Sequence, residues 1–259
     1  MESMCFSWRS LSTFTAAVLL AAGNAHAVVL DWSNVAWTPG SLSNSYDVDG
    51  TVGNDITIAL SGNTNKLTVD PATGIAAPHI NNSLHGGYGG DHSLYLGGDL
   101  STQTNFTVTV TFTGQYNAAT NVSFTIFDID MGADREKILN IYGLLSDGTK
   151  VAGTITGLGS AVSLAGTGLS QVLTGNAAVD NTGANSGNGN ATISFGSHAI
   201  TSFSFDFKND GGPPRFQSIG LFDIDFTPVP EINPAWVGAG ACVLGGFIAL
   251  RFRRTPNAA

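Results

Sequence analysis

Cysteine is nearly absent from this sequence: 259 residues carry two, Cys5 and Cys242, one near each end. The long stretch between them holds no thiol. A disulfide framework, a cysteine nucleophile and a zinc site built on thiolates are therefore excluded there. Charge is scarce as well, at 11% of residues, less than half the roughly 25% of ordinary globular proteins. Bases are scarcer than acids, ten Lys plus Arg against nineteen Asp plus Glu, for a formal charge of -9. No basic stripe is available to neutralise phosphates, which removes nucleic acid from the partners to expect. Helical periodicity is missing too: between Val28 and Thr227 no 3.6-residue apolar repeat lasts three turns. What the chain has is 33 Gly, 15 Phe, a 42% hydrophobic content and polarity carried by Ser, Thr and Asn. That is enough apolar side chain to order a chain of this length around a real core.

The two ends read as addresses. Arg9 precedes an apolar, hydroxyl-rich run from Leu11 to Ala22, and Ala25-His26-Ala27 puts small residues at the -3 and -1 positions of a cleavage site. This predicts a secretory signal peptide over residues 1–27. About a dozen apolar residues are too few to cross ~30 Å of hydrocarbon. At the other end, Pro228-Val229-Pro230-Glu231-Ile232-Asn233-Pro234 leads into an uncharged run from Ala235 to Leu250, followed by Arg251, Arg253 and Arg254. As a helix that run covers about 24 Å at ~1.5 Å per residue, and flanking side chains complete a span with the Arg tail on the cytoplasmic side.

The order of Pro-Glu motif, apolar helix and Arg cluster at residues 228–259 resembles the PEP-CTERM sorting signal of Gram-negative bacteria. The resemblance implies recognition by an exosortase, removal of the tail and delivery to the cell surface or extracellular matrix. Pro230, Glu231, Pro234, Arg251, Arg253 and Arg254 carry it, with the second proline displaced from position 232 to 234. A plain C-terminal membrane anchor is the other reading of the same residues.

Residues 28–227 between these ends predict a single all-β body. Phe106 to Phe112 alternates apolar and hydroxyl residues without a break, so one face is core and the other meets water. Val122 to Ile126, Thr192 to Phe195 and Phe203 to Phe207 repeat the device. Gly and Asn clusters at 86–90, 146–149 and 181–190 mark turns. About ten to fourteen strands in one antiparallel, jelly-roll-like β-sandwich are expected. Phe127-Asp128-Ile129-Asp130 and Phe222-Asp223-Ile224-Asp225 repeat one tetrapeptide, each expected to close an apolar strand, with a hairpin through Arg135 to Tyr142 after the first. From Thr120 to Phe226 this pattern resembles β-sandwich modules of bacterial surface and secreted proteins, which implies an extracellular, non-catalytic module.

Chemistry-bearing residues are few. In each tetrapeptide the two Asp lie two apart, so strand parity sends both to one face. Asp128, Asp130 and Asp134, or Asp223 and Asp225, are thus a candidate calcium set; hydrogen bonds from loop N–H groups, Arg135 or Arg215 are the competing use of the same carboxylates. Seventeen acids face six bases between Val28 and Thr227, too few to pair every carboxylate. Asp47-Val48-Asp49-Gly50 has a fragment of a calcium-loop spacing, but no bidentate Glu follows in register, and it reads as a turn. The segment Gly143 to Lys150 nearly spells a phosphate loop, but its strand-turn-strand context predicts a hairpin. His79, His85 and His92 match no metal spacing, and no Gly-x-Ser-x-Gly elbow is present. Tyr88, Tyr95 and Trp37 are candidate sugar-stacking aromatics, with core packing the alternative for the tryptophans. These residues predict an exported structural or interaction module at the surface or in an exopolysaccharide matrix, not an enzyme. The alternative is a carbohydrate-binding module, supported by calcium. An exposed aromatic-lined concave face would favour the second, a Thr-rich face the first.

Overall fold

In β6 (Asn105–Phe112) the side chains alternate without exception: Phe106, Val108, Val110 and Phe112 are buried and the three threonines between them are half-exposed. The same period-two pattern builds the rest of the chain. The computed structural model describes residues 26–229 apart from 115, 133, 180–185 and 212. Residues 1–25 of the expected signal peptide, and Pro230, Glu231, Pro234, Arg251, Arg253 and Arg254 of the expected sorting signal, fall outside the described residues. Among the described residues no helix is long and apolar enough to cross a membrane.

Among the described residues fifteen strands follow one another: β1 (Val28–Leu30), β2 (Ser43–Tyr46), β3 (Ile56–Gly62), β4 (His79–Asn81), β5 (Ser93–Leu100), β6, β7 (Ala119–Phe127), β8 (Glu136–Leu145), β9 (Lys150–Ala152), β10 (Thr154–Leu158), β11 (Val162–Ala165), β12 (Val172–Gly175), β13 (Ala191–Ser194), β14 (Ile200–Asn209) and β15 (Arg215–Pro228). All pairings are antiparallel, as the turn-rich sequence predicts. One ladder runs β11-β12-β8-β14-β6-β3-β2, with β9 on β8. The other runs β10-β13-β7-β15-β5-β4, with β1 on β15. A single pair, Ile200 opposite Ala119, links the two.

The ladders meet through phenylalanine. Phe124 of β7 stacks on Phe203 of β14 at 4.4 Å, and Phe112 of β6 meets Phe226 of β15 at 5.0 Å. The result is a sandwich-like all-β body, because two one-sided sheets bury their apolar faces best against each other.

Three local expectations are corrected. β7 and β8 do not form a hairpin with each other: β7 belongs to one ladder and β8 to the other. The second tetrapeptide does not close a strand but lies inside β15. Each Asp pair flanks a buried Ile, but the buried face does not continue from the strand residues before it. Asp128 takes a left-handed φ of 65° just past β7, and it is Ile129 that is buried. In β15 the register shifts between Leu221 and Ile224, so burial passes from Ile219 and Leu221 to Ile224 and Phe226. A bulge or a left-handed residue moves every later side chain to the other face.

Candidate functional site

The sequence-selected carboxylates divide among separate places. Asp128 and Asp130 follow the end of β7 and line a cleft of about 520 Å³ together with Asp99, Glu136, Arg215 and Gln217. Asp134 lies nearby but is already served: its Oδ2 sits 3.1 Å from Arg215 Nε and accepts from Asn209 Nδ2 at 3.1 Å. Asp223 Oδ1 accepts the Trp32 N–H at 3.1 Å, and Asp225 is exposed on β15 opposite Val29. The five therefore share no common centre. For Asp130, Asp134 and Asp223 the hydrogen-bonding use is visible, with Asp130 Oδ2 accepting the Val179 N–H at 3.1 Å.

Glu136, which the sequence reading passed over, organises that cleft. It opens β8, is 3% exposed, and accepts the Asp130 N–H at 3.1 Å on Oε2 and the Ser218 N–H at 3.0 Å on Oε1. One side chain thus ties the exit of β7 to β15. Burial raises its acid strength threshold well above the usual carboxylate range, and the neighbouring Asp128 and Asp130 charges push the same way. Burial also raises Asp130, against the Val179 hydrogen bond. A signal existed: Glu136 is the one glutamate among the acids between Val28 and Thr227.

A different loop holds the converging carboxylates. Among the described residues, Asp47, Asp49 and Asp55 form the group whose oxygens lie within 4.8 Å of one another. The turn between β2 and β3 carries all three. Asp55 Oδ2 accepts the Val48 N–H at 2.9 Å and the Asp49 N–H at 3.3 Å, Asp47 Oδ1 accepts the Gly50 N–H at 2.8 Å, and the Tyr116 hydroxyl donates to Asp49. Asp47-Val48-Asp49-Gly50 is the turn its sequence predicts, and Asp55 joins it from the start of β3.

The three aromatic candidates part company. Trp37 and Tyr95 are 6% and 4% exposed, so neither offers a ring face on the surface. Tyr95 is drawn into an apolar cluster by the area it buries, which corrects its proposed stacking role, while Trp37 is packed into the core but also lines a cleft. Tyr88 is 47% exposed and lies nearly parallel to Phe222 at 4.9 Å and to Phe127 at 5.7 Å. Gly86 makes this possible, since a Cβ there would meet the Phe127 ring at 2.4 Å.

A second cleft, about 260 Å³, is walled by Trp32, Val35, Trp37, Ile75, His79 and Ile80, with Ser33 and His92 also lining it. Ser33 Oγ and His92 Nδ1 are 3.1 Å apart. His79 touches Asp70 at 3.5 Å without hydrogen-bond geometry, and burial lowers the pKa of its ring despite that charge.

No protein-family model, curated protein or solved structure matches the chain.

Proposed function

We propose that the protein is an exported, non-catalytic β-sandwich module with a structural or interaction role at the cell surface or in an extracellular polysaccharide matrix. The observation that carries this reading is the outer face of the first ladder. In cross-strand register it runs Ser45-Thr57-Thr111-Ser202, then Ala59-Thr109-Ser204, then Ser61-Thr107-Asp206. The hydroxyls bond to one another, Ser45 to Thr57 at 2.8 Å and Thr109 to Ser204 at 2.9 Å, and Thr107 donates to Asp206 at 2.6 Å. Such a face is polar, nearly uncharged and self-satisfied, which suits contact with a hydrated polymer and supplies no nucleophile with its base. Strand order supports the jelly-roll form of the sandwich: β5-β15-β7-β13 faces β6-β14-β8-β12, with successive strands crossing between the two.

In this reading residues 1–27 direct export, and the 228–259 tail engages exosortase-type machinery and holds the precursor in the membrane. The experiment is fractionation of the producing cell with wild type, Glu231→Ala and a chain ending before Arg251. Wild type should reach the surface or matrix, and both variants should accumulate in the membrane. Unchanged localisation of both would overturn the sorting part.

A calcium-supported form is the second reading, favoured by the convergence of Asp47, Asp49 and Asp55. Millimolar calcium should then raise the melting temperature over chelator. Asp49→Asn should abolish the rise and Asp128→Asn should leave it, because Asp128 lies in the other cleft.

A further inference from the structure

We infer that the cleft between the Asp31–Trp37 loop and β4 is a binding site for one neutral sugar ring of a glycan chain. The walls are two indoles and the aliphatic side chains of Val35, Ile75 and Ile80. Trp32 packs edge-on against Trp37 at 6.4 Å and Tyr46 at 6.2 Å, while His79 lies against Tyr95 at 4.9 Å, so the walls are backed by fixed aromatic rings. Pre-organised walls cost little ordering on binding.

Polar groups are present in the same walls. Trp32 and His79 are each 1% exposed; Trp32 Nε1 has no hydrogen-bond partner, while the His79 ring has the Asp70 carboxylate at 3.5 Å and the Ala76 backbone beside it. Buried donors and acceptors are nearly always paired in folded proteins. Asp70, the nearest acid to His79, already accepts from the Ala72 N–H and the Thr73 hydroxyl. Ser33 and His92, hydrogen-bonded to each other, add a hydroxyl and an imidazole to the same cleft.

An apolar cleft with a few convergent polar groups is the usual build of a small-ligand site. Its lining includes no Asp, Glu, Lys or Arg, so a strongly charged ligand finds no counter-charge. A sugar ring matches this lining on both counts: its C–H faces suit indole and aliphatic walls, and its hydroxyl edge offers donors and acceptors. A volume of about 260 Å³ admits one ring and leaves the rest of a chain outside. The inference rests on the surface-module reading only for the compartment that would supply glycans.

The tryptophans provide the test. The chain has four, Trp8, Trp32, Trp37 and Trp236. In the full chain carrying Trp8→Phe and Trp236→Phe, indole emission reports on the cleft alone. Glucose and N-acetylglucosamine, free and as β-1,4-linked tetramers, are titrated beside glucosamine, glucuronate and phenol. Saturable change with a neutral sugar is expected, at least tenfold weaker in Trp37→Ala and several-fold weaker in Ser33→Ala, which alters an exposed group and spares the core. No saturable change with any neutral sugar overturns the inference, as does a response to phenol alone, or a neutral-sugar response that Ser33→Ala leaves intact. Localisation to the surface or matrix with no sugar response would sink the cleft assignment and leave the surface-module reading standing.

Discussion

Glu136 ties the exit of β7 to β15, and its substitution separates charge from hydrogen bonding. Its carboxylate is buried beside Asp128 and Asp130, an expensive position, yet both oxygens accept backbone N–H groups, from Asp130 and Ser218. Removing the side chain leaves two buried donors unpaired at about 1–3 kcal/mol each. Glu136→Ala is therefore expected to lose about 2–5 kcal/mol of unfolding free energy, summing those donors and the cavity. Glu136→Gln keeps one acceptor oxygen but turns an NH₂ group toward the other N–H, so it should fall between Ala and wild type while removing the buried charge. Denaturant titration of the three proteins gives the order. A Gln variant as unstable as Ala would mean that the charge, and not the acceptor geometry, holds β7 to β15.

At the level of elements, the connections are held by backbone fitted against backbone. The end of β12 passes directly over the Asp130 carbonyl: a Cβ on Gly175 would lie 1.8 Å from that oxygen. Gly175→Ala must push β12 away from the Asp130 turn and is expected to destabilise by at least the ~1–3 kcal/mol of ordinary overpacking, seen as a lower melting temperature. A melting temperature equal to wild type would show that β12 shifts freely. Nothing in the sequence around Gly175 announces this contact, because it joins residues far apart in the chain. The strands themselves were legible: Phe106 to Phe112 and Phe203 to Phe207 state their buried face by alternation alone, and the Ser146-Asp147-Gly148-Thr149 turn falls between β8 and β9 as its residues require. Alternation failed where the backbone leaves the regular strand. A left-handed φ at Asp128 and a register shift before Ile224 cannot be read from residue type, so the buried face passes to the Ile between each Asp pair and cannot be carried over from the strand before it. The site suffered most, since the contacts of Glu136 with Ser218 and of Ser33 with His92 come from segments that only the ladder order brings together.

For the whole molecule, the excess of acid over base makes stability depend on pH in a direction opposite to that of a salt-bridged protein. Burial raises the pKa of Glu136, Asp55 and Asp130, and raises Asp223 to about 6, where the Asp31, Asp91 and Asp225 charges add to burial against the Trp32 hydrogen bond. A carboxyl whose folded pKa lies above its unfolded value binds protons more tightly in the folded state. Between those two values the folded chain holds more protons, so stability increases as pH falls through the window and is lost as pH rises through the folded pKa. His79 acts the other way: burial lowers its pKa, the unfolded chain takes up the proton first, and acid below about 6.5 costs stability there. Asp147, lowered by the Thr149 hydrogen bonds, matters only below about pH 4. Asp223 near 6 and Glu136, held well above the usual carboxylate range, oppose one imidazole and set the expected sign, and neutralising part of a strongly acidic body also relieves self-repulsion. The melting temperature is expected to be higher at pH 5.5 than at pH 7.5 in the same salt. Asp223→Asn should narrow the difference, because it removes a group that titrates near 6, while His79→Gln should widen it by removing the opposing group. A melting temperature that falls on acidification in wild type would mean that His79 outweighs the carboxyls. In that case His79→Gln should reverse the slope.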